Sequence, residues 1–401
     1  MSNFGFTVLG FGSGSSGIAE AIPAGALVTD SWTTSYMGWL PFEATGSKFY
    51  IGGQSTTGKM HVCSHTGNEI TIGAAQSIIG TGCCYYSNSI DIDHNTGSKG
   101  LAVYVRGNAS NGYYIYATAF TVSGTTITYG TQVVINSEPA YSASMKADPL
   151  NADKYMCNWR NQASAGNHHK GCIITLSGTT ISKGATVTLH SAGFAMGPSI
   201  AWDKFTANSV VAYSDAAGSP DAIACTISGS TITAGTPVNV IGAGHAESNN
   251  ALQFVSAGKC VFSYRDNSDG YAGKVVIGTV SGTSISLGTP SEYKDSIQQS
   301  AVIAIDPNNP TKMVALYGDG GNDGLGGGGG TGDNVSCKIG EIDVAGDSIS
   351  WGDEYVIDDS YNGGARVIFD PDPAASGQFL ITYQDGGNSN YFTHVIGQMG
   401  L

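Results

Sequence analysis

Two residues beyond an aromatic that closes an apolar run, a polar residue recurs along the chain: Asn161 after Trp159, Asp215 after Tyr213, Asp266 after Tyr264, Asp319 after Tyr317 and Asp385 after Tyr383, with Arg106 in that place after Tyr104. Groups of this kind can do two sorts of work. Each can cap its own loop by accepting backbone N–H bonds, as Asx residues routinely do. Gathered on one rim, they can instead bond sugar hydroxyls or a divalent cation. Arg106, Trp159, Asn161, Asp215, Asp266, Asp319 and Asp385 are therefore the candidate ligand-binding set. The aromatics are first of all expected to pack between sheets.

Other chemistry is thinner. Glycoside hydrolysis needs two carboxylates at a set separation, one of them with a raised pKa. The recurring Asp residues could supply a pair, but a residue equivalent in every repeat marks fold maintenance rather than one unique pair. Sialidase-type Ser-x-Asp-x-Gly-x-x-Trp boxes, a nucleophile elbow, a phosphate-binding loop and zinc spacing are missing, and the four arginines are Arg106, Arg160, Arg265 and Arg366. A non-enzymatic protein without a cofactor is expected. The Gly-rich run 318–334 carries Asp319, Asp323 and Asp333, a faint likeness to a calcium-binding Gly-Asp repeat. Such repeats act in stacked arrays, so a single copy reads as a low-complexity tip and no metal site is expected. His168 and His169 read as a solvated pair. The eight cysteines have no metal-type spacing and read as small buried hydrophobes, with vicinal Cys83 and Cys84 as the redox or metal-binding alternative.

The elements that must position these groups are set by a repeat. SGTTITYG from Ser123, SGTTISKG from Ser177, SGSTITAG from Ser228 and SGTSISLG from Ser281 share one pattern, with looser copies TGNEITIG from Thr66 and AGDSISWG from Ala345. A period of about fifty residues in a chain rich in β-prone residues and Gly predicts small sheets stacked in a ring. Each unit reads as strand A, an Asp-containing turn (Asp93, Asp148, Asp306, Asp370), strand B ending in the aromatic, a variable loop, strand C, the Ser-Gly turn and strand D. Seven B strands can be counted, from KFYIGG at Lys48 to QFLITY ending at Tyr383, but only six Ser-Gly turns. The last unit therefore lacks its strand D. Residues 22–31 resemble other D strands, so they are expected to complete it and close the ring. The predicted fold is all-β, a seven-bladed β-propeller of four-stranded antiparallel blades. Its blades fall near 32–80, 81–140, 141–193, 194–245, 246–296, 297–360 and 361–401 plus 18–31. In this topology the B–C and D–A connections share one end of the ring, and the B–C loops vary from blade to blade, as recognition loops do.

Composition narrows the partners. With 17 Lys plus Arg against 31 Asp plus Glu, the formal net charge of −14 argues against nucleic acid. No basic leader, signal-like apolar core or membrane-spanning run is legible, so neither export by a signal nor membrane insertion is expected. Residues 1–17 place Phe4, Phe6, Val8, Leu9 and Phe11 ahead of a Gly-Ser run, the composition of a sticky segment on a soft tether that could add a strand to another protein.

The run YRDNSDGYAGKVVIGTVSGTSISLGTP from Tyr264 to Pro290, with its relatives YSDAAGSPDAIACTISGSTITAGTP and YQDGGNSNYFTHVIG, resembles the repeat of tail-fibre-like and other virion proteins of marine bacteriophages. The resemblance implies a propeller on the virion surface, folded in the host cytoplasm. It would be anchored to other virion proteins through the arm, with the B–C loops facing a host glycan or receptor. Head decoration, a free glycan-binding lectin and a glycosidase-type propeller are the alternatives. The resemblance transfers no catalytic residue.

Overall fold

The computed structural model describes residues 21–23, 28–33, 36–37, 48–54, 58–78, 83–108, 112–162, 168–191, 194–215, 219–240, 252–297, 299–319, 333–387 and 391–399. The arm residues Phe4, Phe6, Val8, Leu9 and Phe11, and Asp323 of the Gly-rich run, lie outside them. The architecture is a seven-bladed β-propeller. Five blades are separate antiparallel sheets in A-B-C-D order, and strand D is interrupted, so that two short pieces both pair with strand C. In blade three, for example, Thr180–Lys183 and Val187–His190 both pair with His168–Ser177. Blades six and seven are joined into one sheet because a single strand, Ser348–Phe369, serves as D of one and runs on as A of the other. Its early part pairs with Asp333–Asp343 (Lys338↔Glu354) and its late part with Gln378–Asp385 (Val367↔Ile381).

The two ends of the chain meet as the repeat count requires. Strand C of blade seven, Tyr391–Met399, pairs with Ala21–Pro23 (Ala21↔Met399) and with Val28–Thr33 (Val28↔His394). The apolar faces of blades seven and one close on each other through Leu380, Phe392 and Ile396 against Phe49, Cys63 and Ile70.

The Ser-Gly motif carries two separate constraints. Its first Gly turns the C–D hairpin with φ near the left-handed region, +59° at Gly229, where an added Cβ would meet nothing. Its last Gly lies against the C–D turn of the following blade. A Cβ on Gly130, Gly184 or Gly235 would stand 2.7, 2.7 or 1.8 Å from the carbonyl oxygen of Thr179, Ser230 or Thr283. The motif thus spaces the blades as well as turning the chain. Gly235→Ala is expected to destabilise by about 1–3 kcal/mol through overpacking, against about 1–2 kcal/mol for Gly229→Ala, whose only penalty is the backbone angle. Denaturant midpoints of the two variants check this; an unchanged midpoint for Gly235→Ala would refute the spacing role.

The A–B turn carboxylates also reach beyond their own blades. Asp93, Asp148, Asp203, Asp306 and Asp370 are all buried, and each accepts a turn N–H two residues on, as Asx turns require. Three of them also latch the next blade. Asp93 accepts the Asp153 N–H at 3.0 Å, Asp203 accepts the Gly258 N–H at 2.8 Å, and Asp370 sits 2.6 Å from His65 Nε2 across the closing junction. Around the channel, side chains stand in for the ladder that neighbouring A strands cannot form. Ser89 donates to the Met145 carbonyl and accepts its N–H, while Gln253 does the same between Ile303 and Ile305.

Candidate active site

At the B–C end, most of the candidate ligand-binding residues are committed to their own surroundings. Asp215 accepts the Ser219 N–H at 2.7 Å, and Asp266 accepts the Ser268 N–H and hydroxyl at 3.0 and 2.6 Å together with Lys274 at 3.0 Å. Both cap their loops. Asp385 accepts the Thr393 hydroxyl at 3.3 Å, and Asn161 donates to the Glu138 carboxylate, which Lys170 also holds. Arg106 donates to Gln132 Oε1 at 2.7 Å and lies over the Tyr116 ring. Trp159 is 0% exposed and packs in the core shared by blades two and three. Asp333 is in strand C of blade six, with its side chain outside the described residues.

Asp319 stands apart. It ends strand B of blade six, Lys312–Asp319, and its carboxylate meets groups from two other strands. Lys294, from Ser291–Lys294 of blade five, donates to Asp319 Oδ2 at 2.9 Å and to Glu354 Oε2 at 2.8 Å. Glu354 comes from the strand D part of Ser348–Phe369 and hydrogen-bonds Asp319 directly. The three side chains are 19%, 22% and 26% exposed for Lys294, Asp319 and Glu354, so the cluster is neither buried nor fully solvated.

The electrostatics separate the two carboxyls. Burial disfavours charge on both, but at Glu354 it is outweighed by Lys294, the Asp319 hydrogen bond and the charge of Lys338, which hold it below the ordinary carboxylate range. At Asp319 burial dominates, Lys294 opposes it, and the hydrogen bond to Glu354 adds to it, so this carboxyl lies above its ordinary value. Asp319 is thus the weaker acid of the two and Glu354 the stronger. Lys294 is partly desolvated, yet its two carboxylate partners hold it above the usual ammonium value. Below the cluster lies Tyr317, on the same face of strand B as Asp319. Its hydroxyl is buried and has no hydrogen-bond partner among the described residues. Its ring is 5.4 Å from that of Tyr293, which in turn is 5.3 Å from Trp351.

The equivalent place in blade two shows what is particular here. Arg106 and Gln132 occupy the positions of Asp319 and Glu354 relative to Tyr104 and Gly130, and Gln132 Nε2 donates to the Tyr104 hydroxyl at 2.5 Å. That arrangement is satisfied and has no proton to share. Sequence reasoning found Asp319 and missed Lys294 and Glu354. A signal for Lys294 existed, because Asn136, His190, Lys294 and Asp358 all stand six residues past the last Gly of their motif. Of these, His190 is 2.7 Å from the Tyr213 hydroxyl and Asp358 2.5 Å from the Tyr383 hydroxyl, each across a blade junction.

No protein-family model matches the sequence, and no curated protein matches it. Solved structures do match the fold. A periplasmic gluconolactonase of Pseudomonas aeruginosa superposes with a TM-score of 0.56 at 9% identity, over 85% of this chain and 97% of that one. A protein described as a 6-phosphogluconolactonase from Bacteroides fragilis gives 0.53 at 11% identity, over 87% and 94%. Chaetomium thermophilum Sqt1, bound to the N-terminus of ribosomal protein L10, gives 0.54 at 10% identity, over 93% and 89%. At such identity the likeness carries the fold alone.

Two expectations change as a result. The virion role drawn from the repeat resemblance is corrected, because the chain's fold is matched by gluconolactonase-like propellers and a ribosomal-protein partner, and none of these neighbours is a virion protein. The exclusion of catalysis does not stand either. It rested on equivalence among repeats, whereas Asp319 and Glu354 form a pair whose counterparts in blade two are Arg106 and Gln132.

Proposed function

We propose that the protein is a hydrolase that opens a cyclic ester at Lys294, Asp319 and Glu354. One observation carries this reading: two carboxyls in contact, about a quarter exposed and held by one lysine, have acidities pushed in opposite directions. That is the division of labour acid–base hydrolysis needs. Glu354, ionised, takes a proton from a water as its oxygen attacks the lactone carbonyl carbon. Asp319, protonated, donates a hydrogen bond to the carbonyl oxygen as negative charge develops there. Collapse of the tetrahedral adduct breaks the ring C–O bond. The leaving oxygen takes the proton that Glu354 removed from the water, which returns Glu354 to its ionised form, and the product is the open hydroxy acid. Lys294 keeps Glu354 ionised and fixes both carboxyls in place. The fold shared with proteins named as lactonases is consistent with this chemistry.

The test is hydrolysis of a panel of five- and six-membered lactones, followed as acid release at constant pH against an enzyme-free blank. Turnover above the blank for at least one lactone is expected. No acceleration with any member of the panel would overturn the reading.

A further inference from the structure

The loop after strand B of blade five holds its backbone in a conformation its residues do not favour. Asp269, Gly270, Tyr271 and Ala272 form a β-turn closed by the Ala272 N–H donating to the Asp269 carbonyl at 2.9 Å, and both central residues have positive φ, +60° at Gly270 and +68° at Tyr271. Turns with that pair of angles take Gly or Asn at the second central place, where a Cβ is otherwise strained. Here a bulky aromatic occupies it. The other non-Gly residues with positive φ among those described are Ser142, Asp153 and Asp347, none of them large and two of a type that tolerates the angle. Packing does not explain Tyr271. Its side is 43% exposed, although its backbone is fixed: the carbonyl accepts the Ile297 N–H at 2.9 Å, and Lys274 ties the preceding turn by reaching both Asp266 and Asp269. The guanidinium of Arg265, itself only 7% exposed, lies 4.9 Å from the ring centre. The ring thus rests on a buried cation and keeps carbon surface open to solvent. Backbone strain that the surroundings hold in place collects at positions that touch ligands.

The sheet register joins this residue to the lysine–carboxyl cluster. Arg265 pairs with Gly273 on the neighbouring strand, and Gly273 pairs with Lys294 on the next, so the three stand in one row across blade five. Residues in such a row share a face of the sheet, here the one from which Lys294 reaches Asp319 of blade six, and strand spacing sets Arg265 and Lys294 about 10 Å apart. A lactone ring held at the carboxyls does not extend that far. A substituent on the ring does.

We infer, resting on the lactone-opening reading above, that Tyr271 is a specificity-determining residue of the same site, whose open ring face receives an apolar substituent carried by the lactone. The test uses the full chain and γ-lactones that differ in their alkyl chain alone: γ-butyrolactone, γ-octalactone and γ-decalactone, each corrected for spontaneous hydrolysis. In the unaltered protein kcat/KM is expected to rise with chain length, by about two- to fourfold for each methylene that meets the ring. Tyr271→Gly removes the ring and relieves the turn, so this slope should flatten, with KM for γ-decalactone up by about tenfold or more and kcat little changed, while the melting temperature holds or rises. Tyr271→Phe keeps the ring face and should keep the slope. Hydrolysis without a chain-length preference, or the same preference in Tyr271→Gly, would overturn the inference and leave lactone hydrolysis standing. A lower melting temperature in Tyr271→Gly would also overturn it, since the ring would then serve as a cover for Arg265. Turnover of none of these three, with turnover of another lactone, would sink the inference alone; turnover of no lactone at all would sink both.

Discussion

Glu354→Gln is expected to lower kcat/KM for the lactone substrate by about 10²–10⁴-fold, the usual contribution of a positioned general base, with the melting temperature little altered. Glutamine is isosteric and can still accept from Lys294, so the ring keeps its packing while the site loses its base. Asp319→Asn should fall less, because the amide N–H can still donate to the carbonyl oxygen, though more weakly than a carboxyl O–H. The pH profile sharpens the test. The site works when Glu354 is ionised and Asp319 is protonated, so activity is lost at low pH as Glu354 takes up a proton and at high pH as Asp319 gives one up. Since Glu354 is held below and Asp319 above the ordinary carboxylate range, the bell is broad and its alkaline limb lies higher than a free carboxyl would place it. Lys294→Met removes the cation that holds Glu354 down, which should move the acid limb toward neutral pH. A rate in Glu354→Gln equal to that of the unaltered chain would place the chemistry elsewhere.

Removal of residues 1–33 is expected to lower the melting temperature by on the order of ten degrees, the loss of several kcal/mol in a chain of this size, and to bring on concentration-dependent self-association. Those residues supply both strands that cover Tyr391–Met399. Without them, that strand becomes an open edge with unpaired N–H and C=O groups, a template for another chain. Among the described residues, the junction with blade one would then rest on contacts such as those of Leu380, Phe392 and Ile396 and on the His65–Asp370 pair. Burial opposes the charged form of His65, but the Asp370 hydrogen bond outweighs it and raises the imidazole pKa, so this pair contributes most at low pH and fades as pH rises through that value. The truncated ring should therefore lose more of its remaining stability above neutrality than below it. Removing only residues 1–17 leaves every described pairing in place and serves as the control. A monomer melting where the full chain melts would mean that the ring does not depend on its closing strands. Light scattering and thermal unfolding of the two truncations decide between these outcomes.

Strand order, turn chemistry and ring closure were legible in the chain because they are local. A Gly followed at fixed distance by an apolar strand predicts the hairpin wherever it occurs, as at Gly124, Gly178, Gly229 and Gly282, all with positive φ. In the sixth copy the left-handed angle falls one place later, on Asp347 at φ 49°, and the hairpin closes at Asp343↔Ser348 around a longer loop, so the looser sequence makes a different turn at the same place. The match of residues 22–31 to other D strands was enough to place them on the last blade. Side-chain encounters between blades were not legible. Trp159 stands both in the candidate rim set and among the aromatics expected to pack between sheets, and the core holds it. Lys294, Asp319 and Glu354 come from three strands of two blades, and nothing in their spacing along the chain brings them together. The sequence by itself determined a closed ring of blades, since periodic turns and alternating strands admit few other packings. Only the tertiary structure decided which charged groups meet, since that depends on the angle at which one finished sheet is laid against the next.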